Sequence, residues 1–276
     1  MNWERVDYLI DLALEEDLPA GDITTEAIVP PDLSASGVFL AKEDGVLAGI
    51  EVAAKVFQRI DPSITFKKIK ADGQEFKDGE ILAEVKGKAA SLLKAERTAL
   101  NFLQRLSGIS TLTRAFVQEV SGTKAVILDT RKTTPGWRYL EKYAVRMGGG
   151  QNHRKNLSEM MLIKDNHIRI AGGITAALKR AKGKITAGIK IEVEATTLDE
   201  VKEALVGGAD MIMLDNMSLE QIRRAVELVA GRVPLEVSGK VNLQIVRQIA
   251  LTGVDYISVG ALTHSFKSAD ISLEFL

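Results

Sequence analysis

The chain has 276 residues, with 36 Lys and Arg against 37 Asp and Glu, so its formal net charge at pH 7 is −1. That balance argues against a nucleic-acid binder that works by broad phosphate neutralisation. The absence of cysteine excludes disulfides, thiolate nucleophiles, iron–sulfur clusters and cysteine zinc sites, and no apolar run reaches the roughly 18–20 residues that span a bilayer.

The opening MNWERVDYLIDLALEEDL alternates apolar and acidic residues at helical spacing. No basic segment followed by an apolar one is present, so it predicts a folded amphipathic helix rather than a secretory signal, and a cytoplasmic protein. From Ser34 to about Gly87, Asp-Gly pairs at 44–45, 72–73 and 78–79 separate short β-type runs (GVFLA, VLAGI, ITFKKI, EILAEV), which is hairpin chemistry. Glu51–Ile60 interrupts these runs as a predicted helix closed by Asp61-Pro62. The stretch DGQEFKDGEILAEVKG resembles the turns of biotinyl and lipoyl domains. No lysine sits at a hairpin tip between apolar residues, which argues against a swinging-arm carrier. Leu92, Ala95, Ala99, Phe102, Leu103 and Leu106 recur at three- and four-residue steps, predicting a helix over Ala89–Ser107 with Gly108 as its stop, then a second helix to about Val120.

Beyond that point short apolar runs alternate with helical stretches, the pattern of parallel βα units. The runs IEVE, IMLD, LEVS and ISVG end at Glu194, Asp215, Ser238 and Gly260, in steps of 21, 23 and 22 residues. GGADMIMLDN and TGVDYISVGA are alike in detail, which marks an internal repeat. With AVILD and MMLIK the series has at least six strands, enough to close or nearly close a barrel.

In α/β barrels the functional face is the C-terminal end of the strands. The candidates there are Asp129-Thr130-Arg131-Lys132, Lys164-Asp165-Asn166, Glu194, Asp215-Asn216, Ser238-Gly239-Lys240 and Gly260. Between Arg131 and Arg169 nine Lys or Arg face three acids, a local excess suited to a compact polyanion gripped by guanidinium forks. Lys142, Lys155 and Arg169 are expected only to solvate helices. Glu194 and Asp215, on adjacent strands, suit Mg²⁺, sugar hydroxyls or a developing positive charge, whereas Glu192 is expected on the other face of its strand. The glycines after the last two strands suit a phosphate held by backbone N–H groups.

Taken together, EDLPAGDITTEAI, LLKAERTALNFLQRLSGIST, DTRKTTPGWR, GGGQNHRKNLSEMMLIKDNH, IEVE, IMLDN, LEVSGKV and DYISVGALTHS resemble, in order and over nearly the whole chain, the quinolinate phosphoribosyltransferases, also called nicotinate-nucleotide pyrophosphorylases (carboxylating). The resemblance implies an α/β protein of the type II phosphoribosyltransferase kind. Its parts would be an N-terminal α/β sandwich (1–110), an incomplete parallel α/β barrel carrying the active site (111–265), and a tail (266–276) returning to the N-terminal domain. It implies transfer of phosphoribose from phosphoribosyl pyrophosphate to quinolinate, giving nicotinate mononucleotide, pyrophosphate and CO₂, with Mg²⁺, in NAD biosynthesis. It further implies a homodimer or homohexamer with shared active sites, and no nucleic-acid or membrane partner. By matching motif, Arg97 would enter a neighbour's site; Arg131, Lys132, His153, Arg154 and Lys164 would hold the substrate anions. Glu194 and Asp215 would sit beside ribose and metal, with Lys132, Glu194 and Asp215 as the catalytic set. Ser238, Gly239, Lys240 and Gly260 would cradle the 5′-phosphate, although the family usually reads SGG where this chain has Ser238-Gly239-Lys240. The competing readings are a paralogue of the same fold acting on another anionic ring, and a non-catalytic phosphometabolite binder.

Overall fold

The computed structural model describes residues 2–184 and 188–276, which form two compact units, one of residues 2–114, 135–149 and 266–276, the other of 115–134, 150–184 and 188–265. In the first unit α1 (Trp3–Asp17), capped by the Asn2 side chain, buries Val6 and Ile10. There follow α2 (Ile23–Ile28), β1 (Ser34–Ala41), β2 (Gly45–Val46), α3 (Ile50–Ile60), β3 (Thr65–Lys68), β4 (Glu75–Phe76), β5 (Ile81–Lys88) and α4 (Ala89–Glu119). Alternating apolar positions make β1, β3 and β5 one antiparallel sheet, and the final strand, β12 (Ile271–Phe275), pairs with β1 at its edge, giving the order β12-β1-β5-β3. Phe39, Phe57 and Phe66 meet with ring centroids 5.6–5.8 Å apart, so the apolar face of α3 is fastened to β1 and β3 by mutual aromatic packing. Gly73 and Gly79, with φ of 88° and 81°, make two of the Asp-Gly turns.

Two local expectations are corrected. The run VLAGI is a strand only at Val46, and Ile50 already begins a helix. Gly108 does not stop a helix, because α4 runs unbroken for 31 residues. A Cβ on Gly108 would lie 2.1 Å from the Lys267 carbonyl oxygen, so this glycine exists to let the C-terminal segment cross close to the helix. Gly108→Ala should therefore destabilise despite the roughly 1 kcal/mol by which alanine favours a helix, since overpacking against backbone costs about 1–3 kcal/mol or more. A melting temperature lower by several degrees is expected, and an unchanged one would show that the crossing segment yields freely.

The second unit carries β6 (Val126–Leu128), β7 (Met161–Ile163), α6 (Asp165–Ala171), α7 (Ile174–Lys182), β8 (Ile191–Ala195), α8 (Leu198–Val206), β9 (Met211–Asp215), α9 (Leu219–Val229), β10 (Leu235–Ser238), α10 (Leu243–Ala250), β11 (Tyr256–Ser258) and α11 (Ala261–His264). The intervening α5 (Arg138–Met147) belongs to the first unit, where Trp137 stacks on Phe102 at 4.8 Å and buried Glu141 takes a hydrogen bond from Arg105. Six parallel strands lie in the order β6-β11-β10-β9-β8-β7. No pairing joins β6 to β7 among the described residues, so the barrel is incomplete. The repeat has a physical basis. Asp210 and Asp255, at matching places in GGAD and TGVD, accept the N–H of the first residue of the preceding strand (Ile191 at 2.8 Å, Leu235 at 2.9 Å) and return their own N–H to its carbonyl. Each aspartate thus sets the register of its strand pair.

Candidate active site

A cavity of about 670 Å³ opens at the C-terminal ends of the six strands. Eleven of the twelve site residues named from the sequence line it; the twelfth, Arg97, is an exposed residue of α4 in the first unit.

The cationic wall is built from the end of β6. Asp129 is fully buried and does not face a ligand; its carboxylate accepts from Asn152 Nδ2 (2.6 Å) and the His153 N–H (2.9 Å), which ties the 152–154 segment to the strand end. A tight turn follows, with the Lys132 N–H donating to Thr130 Oγ1 (3.0 Å) and the Thr263 hydroxyl donating to the Lys132 carbonyl (2.8 Å). The Lys132 stem crosses Gly260, where a Cβ would stand 3.1 Å from Lys132 Cδ. Arg154 donates to the Met160 carbonyl at 2.9 Å. Its pKa is lowered, first by burial and then by the charge of Arg131 beside it. Two adjacent guanidinium groups in a partly dry cavity repel each other, and an anion with two charges relieves both.

Facing them, Lys164 Nζ pairs with Glu194 Oε2 at 2.6 Å, and Asp215 Oδ2 accepts from Asn216 Nδ2 at 2.7 Å. Glu194 stands opposite Met213 in the β8–β9 register, so Asp215 shares its face one pleat on. At the next strand Asn216 and Ser238 are joined by a 3.0 Å backbone bond. Gly239, with φ of 99°, brings its Cα so near that a Cβ would lie 2.4 Å from Asn216 Oδ1. Lys240 has φ of 52° and an exposed side chain. A left-handed conformation costs a side-chain-bearing residue roughly 1–2 kcal/mol, which is why glycine suits this position.

The structure overturns the expectation for Glu192. Residues two apart on a strand share a face, and Glu192 is fully buried with Oε2 3.1 Å from His153 Nε2, while Glu236 Oε2 of β10 lies 3.3 Å from the same nitrogen. Burial works against a charged His153 and the two carboxylates favour it. The Arg154 N–H nevertheless points at Nδ1 from 2.8 Å and needs that atom's lone pair. An imidazolium would set two N–H donors head to head there, so the proton that the cluster attracts resides on the carboxyl side. Burial and the charge of Glu236 accordingly push Glu192 up to about 7. Lys142, expected to solvate a helix, is instead buried, while Lys155 and Arg169 are exposed. Glu236 and His264, which also line the cavity, were missed. For Glu236 a signal existed: IEVE and LEVS both carry a glutamate two positions before the polar strand end.

Residues 22–107 match the N-terminal domain, and residues 109–274 the C-terminal domain, of the family described as quinolinate phosphoribosyl transferase. The chain is 45% identical to the rice (Oryza sativa subsp. japonica) protein named nicotinate-nucleotide pyrophosphorylase [carboxylating], chloroplastic, over 96% of this chain and 76% of that one. It is 42% identical to the Bacillus subtilis protein named probable nicotinate-nucleotide pyrophosphorylase [carboxylating], over 99% and 94%. The solved structure of the nicotinate-nucleotide pyrophosphorylase from Francisella tularensis superposes with a TM-score of 0.95 at 43% identity, covering 99% of this chain and 96% of that one.

Proposed function

The chain belongs to the quinolinate phosphoribosyltransferase family, and from that premise we propose that its cavity joins quinolinate to phosphoribosyl pyrophosphate with loss of CO₂. The observation that carries this reading is the division of one cavity into three chemistries: paired guanidinium groups at the β6 end, carboxylates on β8 and β9, and close-packed glycines after β10 and β11. Arg131 and Arg154, with Lys132, would take the two ring carboxylates. Ser238, Gly239, Lys240 and Gly260 would take the 5′-phosphate, their glycines letting its oxygens approach the backbone. Glu194 and Asp215 then stand beside the ribose. As the C1–O bond to pyrophosphate breaks, C1 gains positive charge, which the two carboxylates stabilise. The ring nitrogen supplies the electron pair of the new N–C1 bond and becomes cationic. The electrons of the breaking bond to CO₂ then stay on the ring carbon as an in-plane lone pair stabilised by the adjacent cationic nitrogen, and a proton from water takes up that pair, so no carbanion-stabilising cofactor is required. The 2.6 Å pair of Lys164 with Glu194 holds that carboxylate in place while no substrate is present.

The residues also fit Mg²⁺. Glu194 and Asp215 each keep a second carboxylate oxygen without a hydrogen bond among the described residues, on neighbouring strands, and Mg²⁺ favours one or two carboxylates plus substrate phosphate oxygens. Its role when bound would be to neutralise the departing pyrophosphate. The test of the reaction is release of labelled CO₂ from carboxyl-labelled quinolinate, dependent on phosphoribosyl pyrophosphate. No release by the folded, Mg²⁺-supplied protein would refute the assignment.

We further infer a homo-oligomer, dimeric or hexameric, in the cytoplasm. No helix among the described residues is long and apolar enough to cross a membrane. Arg97 is exposed on α4 although the family resemblance gives it a substrate, a combination explained if it serves a neighbouring chain. Mixing impaired Arg97→Ala with impaired Lys132→Ala chains should then raise activity above that of either variant alone, since half of randomly mixed dimers contain one intact site. No recovery after demonstrated subunit exchange would place Arg97 outside any shared site.

A further inference from the structure

The His153–Glu192–Glu236 cluster is not used by the chemistry above. Its three side chains come from three places in the second unit: the segment after β6, β8 and β10. Glu192 and Glu236 are fully buried and the His153 side chain is 7% exposed. Both ring nitrogens are taken by the protein: Nε2 faces the two carboxylates at 3.1 and 3.3 Å, and Nδ1 accepts the Arg154 N–H at 2.8 Å. Two carboxylates and an imidazole also have the composition of a metal site. A metal would need the Nε2 lone pair, however, and an Nδ1 that accepts a hydrogen bond leaves the ring proton on Nε2. A ring engaged at both nitrogens has no polar atom left for a substrate anion. What it does hold is the main chain of Arg154, whose guanidinium stands beside Arg131 in the cavity.

We propose that His153, Glu192 and Glu236 form a buried strut under the cavity, in which the two glutamates fix the imidazole and the imidazole fixes the Arg154 backbone. Glu192 and Glu236 are thus positioning residues for binding of the anionic ring, and His153 acts behind Arg154 rather than on the substrate. Glu192 and Glu236 stand on strands on either side of β9: Glu192 takes the Nε2 hydrogen bond, and Glu236 backs that side of the ring from 3.3 Å without a hydrogen bond of its own among the described residues. The guanidinium of Arg154 needs such an anchor because mutual repulsion with Arg131 drives it away from the productive position.

The proposal rests on the reaction assigned above, so wild-type CO₂ release is measured first; without it the assignment fails, not the strut. Glu192→Leu removes the hydrogen-bond acceptor for Nε2–H, and Glu192→Gln keeps one. For Glu192→Leu we expect the KM for quinolinate to rise about tenfold or more, the KM for phosphoribosyl pyrophosphate to stay within about twofold, and kcat to fall less than threefold. Glu192→Gln should recover most of the loss. Equal weakening of both substrates in both variants, or unchanged kinetics in Glu192→Leu, would overturn the strut. A measurement on the unmodified protein decides if Glu192→Leu does not fold. The chain has three histidines, so ¹⁵N-histidine spectra with His153→Asn for assignment report the tautomer. Protonated Nε2 with unprotonated Nδ1, unchanged on adding quinolinate, is expected. A proton on Nδ1, a His153 shift showing a direct bond to quinolinate, or stoichiometric Mn²⁺ binding abolished by Glu236→Gln would each refute it.

Discussion

Nicotinate offered in place of quinolinate should be used with a kcat/KM lower by about 10³-fold or more, because a site built to pair a polar group rejects the analogue lacking it by up to about 10⁴–10⁵-fold. The two guanidinium groups of Arg131 and Arg154 lie close enough that the charge of one lowers the pKa of the other, on top of the lowering by burial. Quinolinate, with two adjacent carboxylates, would relieve both. Nicotinate lacks the 2-carboxylate, so the repulsion between the two guanidinium groups would be only partly relieved, and leaving charged donors under-satisfied in a partly dry cavity costs more than the bond itself contributes. It also offers no carboxylate to leave as CO₂. Side-by-side turnover of the two acids, followed by nucleotide formation, checks this. Comparable rates would remove the reason for a second guanidinium and favour a related enzyme acting on a monoacid.

Lys132→Ala should lower kcat/KM about 10- to 150-fold, the equivalent of roughly 1.5–3 kcal/mol for one charge-assisted contact, while the melting temperature stays close to that of the unmodified protein. The separation of effects follows from the geometry. The Lys132 backbone is held by Thr130 and Thr263, neither of which the substitution touches, and the lysine side chain is exposed at the cavity mouth, so its removal leaves neither a buried void nor a buried orphan charge. Arg131→Ala should lose activity in the same direction. Near-normal kcat/KM in purified, folded Lys132→Ala would remove this residue from the site.

These expectations draw unequally on sequence and on tertiary structure. The sequence by itself determined the alternation of short apolar runs with amphipathic helices, and hence a small antiparallel sheet followed by parallel βα units, because periods of two and of 3.6 residues are local properties. It also determined that polar residues end the strands, and that the ends recur every 21–23 residues, so the strand-end residues that line the cavity could be named before the cavity was seen, while Glu236 and His264 were not. Tertiary structure alone decided three things. Gly108 reads locally as a helix stop, but its neighbour is the Lys267 carbonyl, 159 positions away in the chain. Residues 135–149 follow the first barrel strand in sequence yet pack with the first unit, through Trp137 on Phe102 and Glu141 with Arg105. Glu192, His153 and Glu236 meet because the β8–β9–β10 order and registers bring them to one nitrogen. Strand parity puts Glu192 on the face of Glu194, against the expectation of the opposite face. Which histidine it would meet there depended on how separate strands stack, and no local period of the chain encodes that.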